Sequence, residues 1–188
     1  DMSAARVGLT EAAAKDAGFN PVTITTVSDN KAHYYPGAAS FITKLIADRD
    51  SHRLLGAQII GSGAVDKMAD IAVVGITAGL KADSFITMDF AYAPPFSTAI
   101  HPFAVACSVL CNKLSGRLIS FTPEEYASGQ AADYVLIDAH PTPTIPGGEW
   151  VDFSKLQTLS YPKDQKLLLV CARGKRGYLL QNKLLALG

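Results

Sequence analysis

The sequence predicts an α+β domain, an antiparallel sheet with helices on one face, followed by a shorter, partial α/β domain with a parallel sheet. Three observations predict it. Residues 22–60 hold three strand-like runs separated only by turns. Residues 65–114 hold two helical apolar patterns. Beyond Gly116, strands and helices alternate instead.

Taken in order, residues 10–17 form a helix, with Thr10 as its cap and Gly18 as its stop. Residues 22–27 are a strand rich in β-branched side chains. A turn-rich segment runs from Asp29-Asn30 through Tyr34-Tyr35-Pro36-Gly37. Residues 40–47 alternate like a half-buried strand, residues 48–51 turn, and residues 53–60 return, so the two strands form a hairpin. Residues 65–78 carry Val65, Met68, Ala69, Ile71, Ala72, Gly75 and Ile76 at helical spacing, ended by Gly79. A helical turn is expected around residues 84–88, Pro94-Pro95 break regular structure, and residues 102–114 form the last helix of this half. Ser115-Gly116 marks the boundary, giving domains 1–115 and 116–188. In the second, Leu118-Ile119-Ser120 reads as a strand, Thr122 caps a helix with Pro123 in its first position, and residues 134–138 form a buried strand. Residues 167–170 form another strand, and a helical stretch covers residues 177–185.

Of the 188 residues, 48% are hydrophobic and 18% charged, with a formal net charge of +0. That composition buries a real core and excludes disorder. The balanced charge gives nucleic acid or an anionic membrane no purchase as a partner. No apolar run approaches a membrane span, and no basic-then-apolar leader opens the sequence. Three cysteines, an odd count, fit free thiols in a reducing cytoplasm.

The most chemically pointed segment is Cys171-Ala172-Arg173-Gly174-Lys175-Arg176, between the strand and the helix. Backbone N–H groups of such a loop, with a helix N-terminus behind, favour negative charge. A thiol among Arg173, Lys175 and Arg176 should ionise readily and act as a nucleophile. A buried structural cysteine ending a strand is the other reading of the same residue. The loop resembles the active-site loop of the rhodanese sulfurtransferases. The resemblance implies Cys171 as the sulfane-sulfur carrier, Gly174 as the flexible turn and Arg176 as the closing arginine. Ala172, Arg173, Gly174 and Lys175 then line the substrate cradle. Cysteine phosphatases place five residues between cysteine and arginine; here four intervene, which favours sulfur over phosphate. Leu136-Ile137-Asp138 matches the rhodanese strand that ends in aspartate. The sequence departs from that family in having His140 where arginine is usual, a shortened Pro141-to-Gly148 segment, and an end before the final strand and helix.

The first half resembles the C-terminal dimerisation domain of pyridine nucleotide–disulfide oxidoreductases, in the branch of coenzyme A-disulfide reductases and NADH oxidases. The residues that carry the likeness are Arg6-Val7-Gly8-Leu9-Thr10-Glu11, Tyr34-Tyr35-Pro36-Gly37-Ala38, Lys44-Leu45-Ile46-Ala47-Asp48, Leu55-Gly56-Ala57-Gln58-Ile59-Ile60-Gly61 and Tyr92-Ala93-Pro94-Pro95-Phe96-Ser97. The resemblance implies a homodimer built on this half. It also implies that Tyr34 and Tyr92 reach the partner's redox cysteine and bound coenzyme A, with Tyr35 in that place if the register slips by one. Packing at an interface is the alternative role for all three.

Complete enzymes of that branch carry FAD and NAD(P)H in two further domains. This sequence has neither domain, nor the redox cysteine, so it is expected to be a fragment that binds none of these cofactors alone. Its own substrate would be a small disulfide, persulfide or thiosulfate. A non-catalytic dimerisation scaffold with an inert second domain is the alternative; an arsenate reductase or phosphatase is disfavoured by the loop length. Gly61-Ser62-Gly63-Ala64-Val65-Asp66 imitates a dinucleotide fingerprint, but Asp66 replaces its last small residue and would repel pyrophosphate. Cys107 and Cys111 lie one helical turn apart in an apolar run and read as packed thiols, with no metal expected. His101 reads as an N-terminal helix residue, and His33 and His52 as solvent-facing turn residues.

Overall fold

A computed structural model describes residues 1–187, the side chains at 157 and 158 excepted. Gly188, the end of the expected second domain, lies outside the described residues. The chain forms two compact units, Asp1–Ser120 and Phe121–Gly188.

The first unit runs β1 (Ser3–Gly8), α1 (Glu11–Asp16), β2 (Pro21–Asp29), β3 (Ser40–Asp48), β4 (Leu54–Gly61), α2 (Val65–Thr77), a 3₁₀ turn (Ala82–Phe85) and α3 (Pro102–Leu114). Its strands form one antiparallel sheet in the order β1-β4-β3-β2. β2, β3 and β4 are consecutive hairpins. Phe41 and Leu45 of β3 turn to one face, with Val22, Ile24, Ala57 and Ile59 of the neighbouring strands. There they meet Val65, Met68 and Ala72 of α2 and Phe103, Ala106, Cys107 and Leu110 of α3. Each large side chain removed from water there contributes about 2–3 kcal/mol. Gly75 keeps α2 close to the 3₁₀ turn, because a Cβ there would overlap the Phe85 ring.

Several expectations need correction. The helices are not all on one face: α1 seats Ala14 against Ile46 and Leu55. Ile46 alternates with Leu45, so this second cluster lies on the opposite face of the sheet. A strand over residues 3–8 adds an edge that the local sequence pattern did not announce. Its Ala4-Ala5 pair has little strand preference, and its pairing, Ser3 with Gly61 through Gly8 with Gly56, is long-range. Leu118-Ile119-Ser120 is not a strand. The Leu118 N–H donates to the Asn112 carbonyl at 2.9 Å, so the segment folds back on the end of α3. The helical turn before α3 sits at 82–85 rather than 84–88.

The second unit runs α4 (Pro123–Ala127), β5 (Val135–Asp138), β6 (Glu149–Trp150), a 3₁₀ turn (Phe153–Thr158), β7 (Leu167–Val170) and α5 (Lys175–Leu187). The strands form a parallel sheet, β6-β5-β7. α4 starts as expected: the Thr122 hydroxyl accepts the Glu125 N–H at 3.1 Å, and the Glu125 carboxylate accepts the Thr122 N–H at 2.7 Å. α5 buries Leu180 with Ile137, Ala139 and Val151. With so few strands, only Ile137 and Asp138 of β5 are fully buried. Among the described residues, no helix is long and apolar enough to cross a membrane.

Candidate functional site

Cys171 follows β7 directly. β5 and β7 run parallel with Asp138 opposite Val170, and the Ala139 N–H donates to the Val170 carbonyl at 2.8 Å. His140 and Cys171 therefore leave the sheet at neighbouring positions of its carboxyl edge, where open α/β sheets hold ligands. Cys171 is half-buried against the apolar cluster of Ile137 and Leu180, while Ala172, Arg173, Gly174 and Lys175 are exposed. Gly174, at φ +77, turns the chain into α5, whose first bond runs from the Tyr178 N–H to the Gly174 carbonyl at 2.9 Å. Lys175, Arg176 and Gly177 occupy the first turn, where N–H groups lack helical acceptors and give the end a partial positive charge. Arg176, expected to close the loop, is half-buried with its guanidinium 5.0 Å from the centre of the Phe153 ring.

Asp138 organises the loop beside Cys171. One carboxylate oxygen accepts the N–H groups of Thr144 and Ile145 at 2.7 and 2.8 Å. The other accepts the His140 N–H at 3.0 Å and faces His140 Nδ1 at 2.7 Å. An ionised carboxylate only accepts, so the imidazole proton in that contact sits on Nδ1. Burial pushes the Asp138 carboxyl up, but these four donors outweigh it and hold it well below the usual carboxylate range. Trp150 closes the loop, its indole N–H donating to the His140 carbonyl at 3.1 Å. The hub was not anticipated, although an aspartate followed two residues on by a polar residue and then prolines is a local signal for a side chain that binds its own downstream backbone.

In the first unit, Tyr34 and Tyr35 lie on the β2–β3 loop and Tyr92 on the loop before α3, exposed by 69%, 37% and 49%. Lys31 lies over the Tyr35 ring at 5.8 Å, and His33 meets Tyr34 edge-on at 5.5 Å. His33 and His52 are exposed. The Gly61-to-Asp66 turn is tied to the β2–β3 loop by Asn30, a buried residue whose amide donates to the Ser62 carbonyl at 2.8 Å and accepts the Ala39 N–H at 3.0 Å. Gly63, at φ +98, faces that amide. The strand before the turn pairs antiparallel on both sides, so the parallel β–α–β frame of a dinucleotide site is missing here.

His101 caps α3, its Nδ1 accepting the Phe103 N–H at 3.2 Å while the ring stacks on Phe90 at 4.5 Å. Burial, reinforced by the charge of Lys67, pushes its pKa down to about 4. Its place at the helix start was legible; its burial was not. Cys107 is fully buried and Cys111 half-buried, and burial pushes both thiols up. Among the described residues no group of three or more His, Cys, Asp or Glu is placed to hold a metal.

Comparison with known proteins places these features. Residues 1–104 match the family model described as the pyridine nucleotide-disulphide oxidoreductase dimerisation domain. A CoA-dependent NAD(P)H sulfur oxidoreductase of Pyrococcus furiosus is 36% identical over 110 residues, covering 58% of this chain and 25% of that protein. The structure of an NAD-dependent persulfide reductase from A. fulgidus superposes on 100% of this chain and 35% of that one, with a TM-score of 0.88 at 32% identity. The reduced Bacillus anthracis CoADR-RHD gives 0.91 at 26% identity over the same shares. The chain thus spans about a quarter to a third of the length of the relatives it matches.

Proposed function

The chain belongs to the pyridine nucleotide-disulphide oxidoreductase dimerisation-domain family, and from that premise we propose that it is part of an NAD(P)H- and FAD-dependent coenzyme A-disulfide or persulfide reductase. The first unit forms the homodimer, and Tyr34 and Tyr92, or Tyr35 in their place, hydrogen-bond to a thiolate or a leaving coenzyme A sulfur in the partner's site. Their exposure leaves the phenols available for that role. FAD and NAD(P)H are held by parts of the parent protein outside these residues, since the Gly61-to-Asp66 turn lacks a dinucleotide frame.

The second domain, expected from residue 116 and forming a compact unit from Phe121 onward, is a rhodanese-like module in which Cys171 carries sulfane sulfur. The observation that supports this best is the placing of a thiol after a parallel strand and before the start of α5. In the proposed step the Cys171 thiolate attacks the outer sulfur of thiosulfate. A new S–S bond forms, the old one breaks, and sulfite departs with its electron pair. The persulfide then gives its terminal sulfur to cyanide as thiocyanate, and the Cys171 thiolate is restored. Intact mass after incubation with thiosulfate tests the reading. A gain of one sulfur on Cys171, removed by reductant and missing in Cys171→Ser, is expected; folded protein that takes up no sulfur refutes it.

One observation favours a second reading, a dimerisation scaffold whose Cys171 loop is inert. Arg176 is engaged by Phe153, away from the role of a closing arginine. Phe153→Ala separates the two: a released Arg176 should raise thiosulfate turnover if the loop is a sulfur carrier, and leave it at zero if the loop is inert.

A further inference from the structure

A cavity of about 170 Å³ lies in the first unit where the start of α2, the β2–β3 loop and the segment before α3 meet. Its lining includes Gly63 and Ala64 at the helix start, Lys31, Lys67, Ser97 and His101. Four features agree about what would fill it. α2 has 13 residues, and Ala64 gives it no side-chain cap. The Val65 N–H is taken by the Gly63 carbonyl at 2.8 Å, while the Asp66 and Lys67 N–H groups receive no side-chain cap. Lys31 and Lys67 bring two cations to the rim, and both are half-buried. The Ser97 hydroxyl is buried and has no hydrogen-bond partner among the described residues, although Ser97 is only 1% exposed. A buried hydroxyl without a partner is uncommon and marks a missing one.

His101 supplies the fourth. It is 4% exposed, and its Nδ1 accepts the Phe103 N–H, which leaves the proton of the neutral ring on Nε2. His101 lines the cavity, so its Nε2–H adds a donor to that group of residues. The polar part of the wall is thus rich in donors, set among the apolar Phe41, Met68, Pro95 and Phe96. Asp66, the acid in the first turn, is exposed and does not line the cavity.

We propose that this cavity binds a tetrahedral oxyanion of the phosphate class, either free phosphate or the phosphate of a monoester, held by the α2 N-terminus, Lys31, Lys67, Ser97 and His101. The site lies within the first unit and does not depend on Cys171. Helix N-termini and lysines recognise phosphate by converging N–H groups and charge, and a cavity several times the volume of one water leaves room for it.

The test is an NMR titration of the full chain, in a constant chloride background, with inorganic phosphate in one arm and adenosine 3′-monophosphate in the other. Saturable shifts of the Ala64, Asp66 and Lys67 amides and of the His101 Nε2 resonance are expected. Lys67→Gln should weaken binding about tenfold and Ser97→Ala severalfold, while Lys81→Gln, an exposed cation off the cavity, should leave it unchanged. Saturation by phosphate assigns the free anion; saturation by the nucleotide alone assigns a monoester. No saturable shift at those amides in either arm, or equal weakening in Lys81→Gln, overturns the proposal. Ser97→Ala guards against a Lys67 variant that fails to fold, because it removes a single oxygen.

Discussion

Lowering the pH from 7 to 4 should destabilise the first unit through His101, which stays neutral in the fold while the unfolded chain takes up a proton. In the unfolded chain this imidazole titrates near 6.5; in the fold, burial and Lys67 push it down to about 4. Between those values the unfolded state holds a proton that the native state refuses. The contribution of the neutral, stacked imidazole is complete above pH 6.5 and is lost as pH falls through about 4. At about 1.4 kcal/mol for each pH unit between the two values, the ceiling on that loss is about 3 kcal/mol, a large fraction of a domain's stability. The assay is urea unfolding of the full chain at several pH values, with amide cross-peaks of β3 reporting the first unit and Trp150 fluorescence the second. His101→Asn isolates the effect, since asparagine still caps α3 but does not titrate. The variant should be less stable at pH 7, having lost the ring stacked on Phe90, yet lose about 3 kcal/mol less than the native chain on acidification. Glu11 and Asp48 also lose stabilising charge in acid, but equally in both proteins. Identical pH slopes for the two would refute the reasoning.

Asn30→Ala leaves the Ser62 carbonyl and the Ala39 N–H without their buried partner. It should lower the stability of the first unit by about 2–3 kcal/mol in the same urea assay, with the Trp150 transition unmoved. Asp138→Asn turns amide hydrogens toward the N–H groups of Thr144 and Ile145. The Trp150 midpoint should fall while β3 is unaffected, and the acid sensitivity of that midpoint should shrink, because a carboxyl held below its usual range stabilises above that range and loses the effect as pH falls. Iodoacetamide at neutral pH, followed by peptide mass mapping, should label Cys171 well before Cys107, whose thiol is buried and resists ionisation.

The sheet and its two covering helices were legible because their signals are local. The β-branched run before Val27 and the alternation around Leu45 announce strands from within. Pro102 opens α3 at the residue where the sequence places it. β1 was not legible as a strand, because what makes Ser3–Gly8 a strand is β4, far along the chain. For the same reason the position of α1 on the far face could not be read from its own residues; it follows from Ile46 and Leu55. At the site, the loop from Cys171 to Arg176 was legible as a strand–turn–helix junction. The partners Phe153 and Asp138 were not, since cation–π stacking and carboxylate–backbone bonding leave no periodic trace. The cavity at His101 gathers residues from four separate stretches of the sequence that share no motif.

The strand order also has a kinetic meaning. β2, β3 and β4 join through two hairpins whose ends meet after short turns, so they can associate soon after the chain collapses. β1 cannot dock until β4 exists, and its loop encloses the whole hairpin pair. Until then β4 is a bare edge, with unpaired N–H and C=O groups facing solvent and Ile60 exposed beside them. β1 thus acts as the last cover on the sheet. During refolding, the interval before they arrive is when this unit is most open to pairing with another copy of itself.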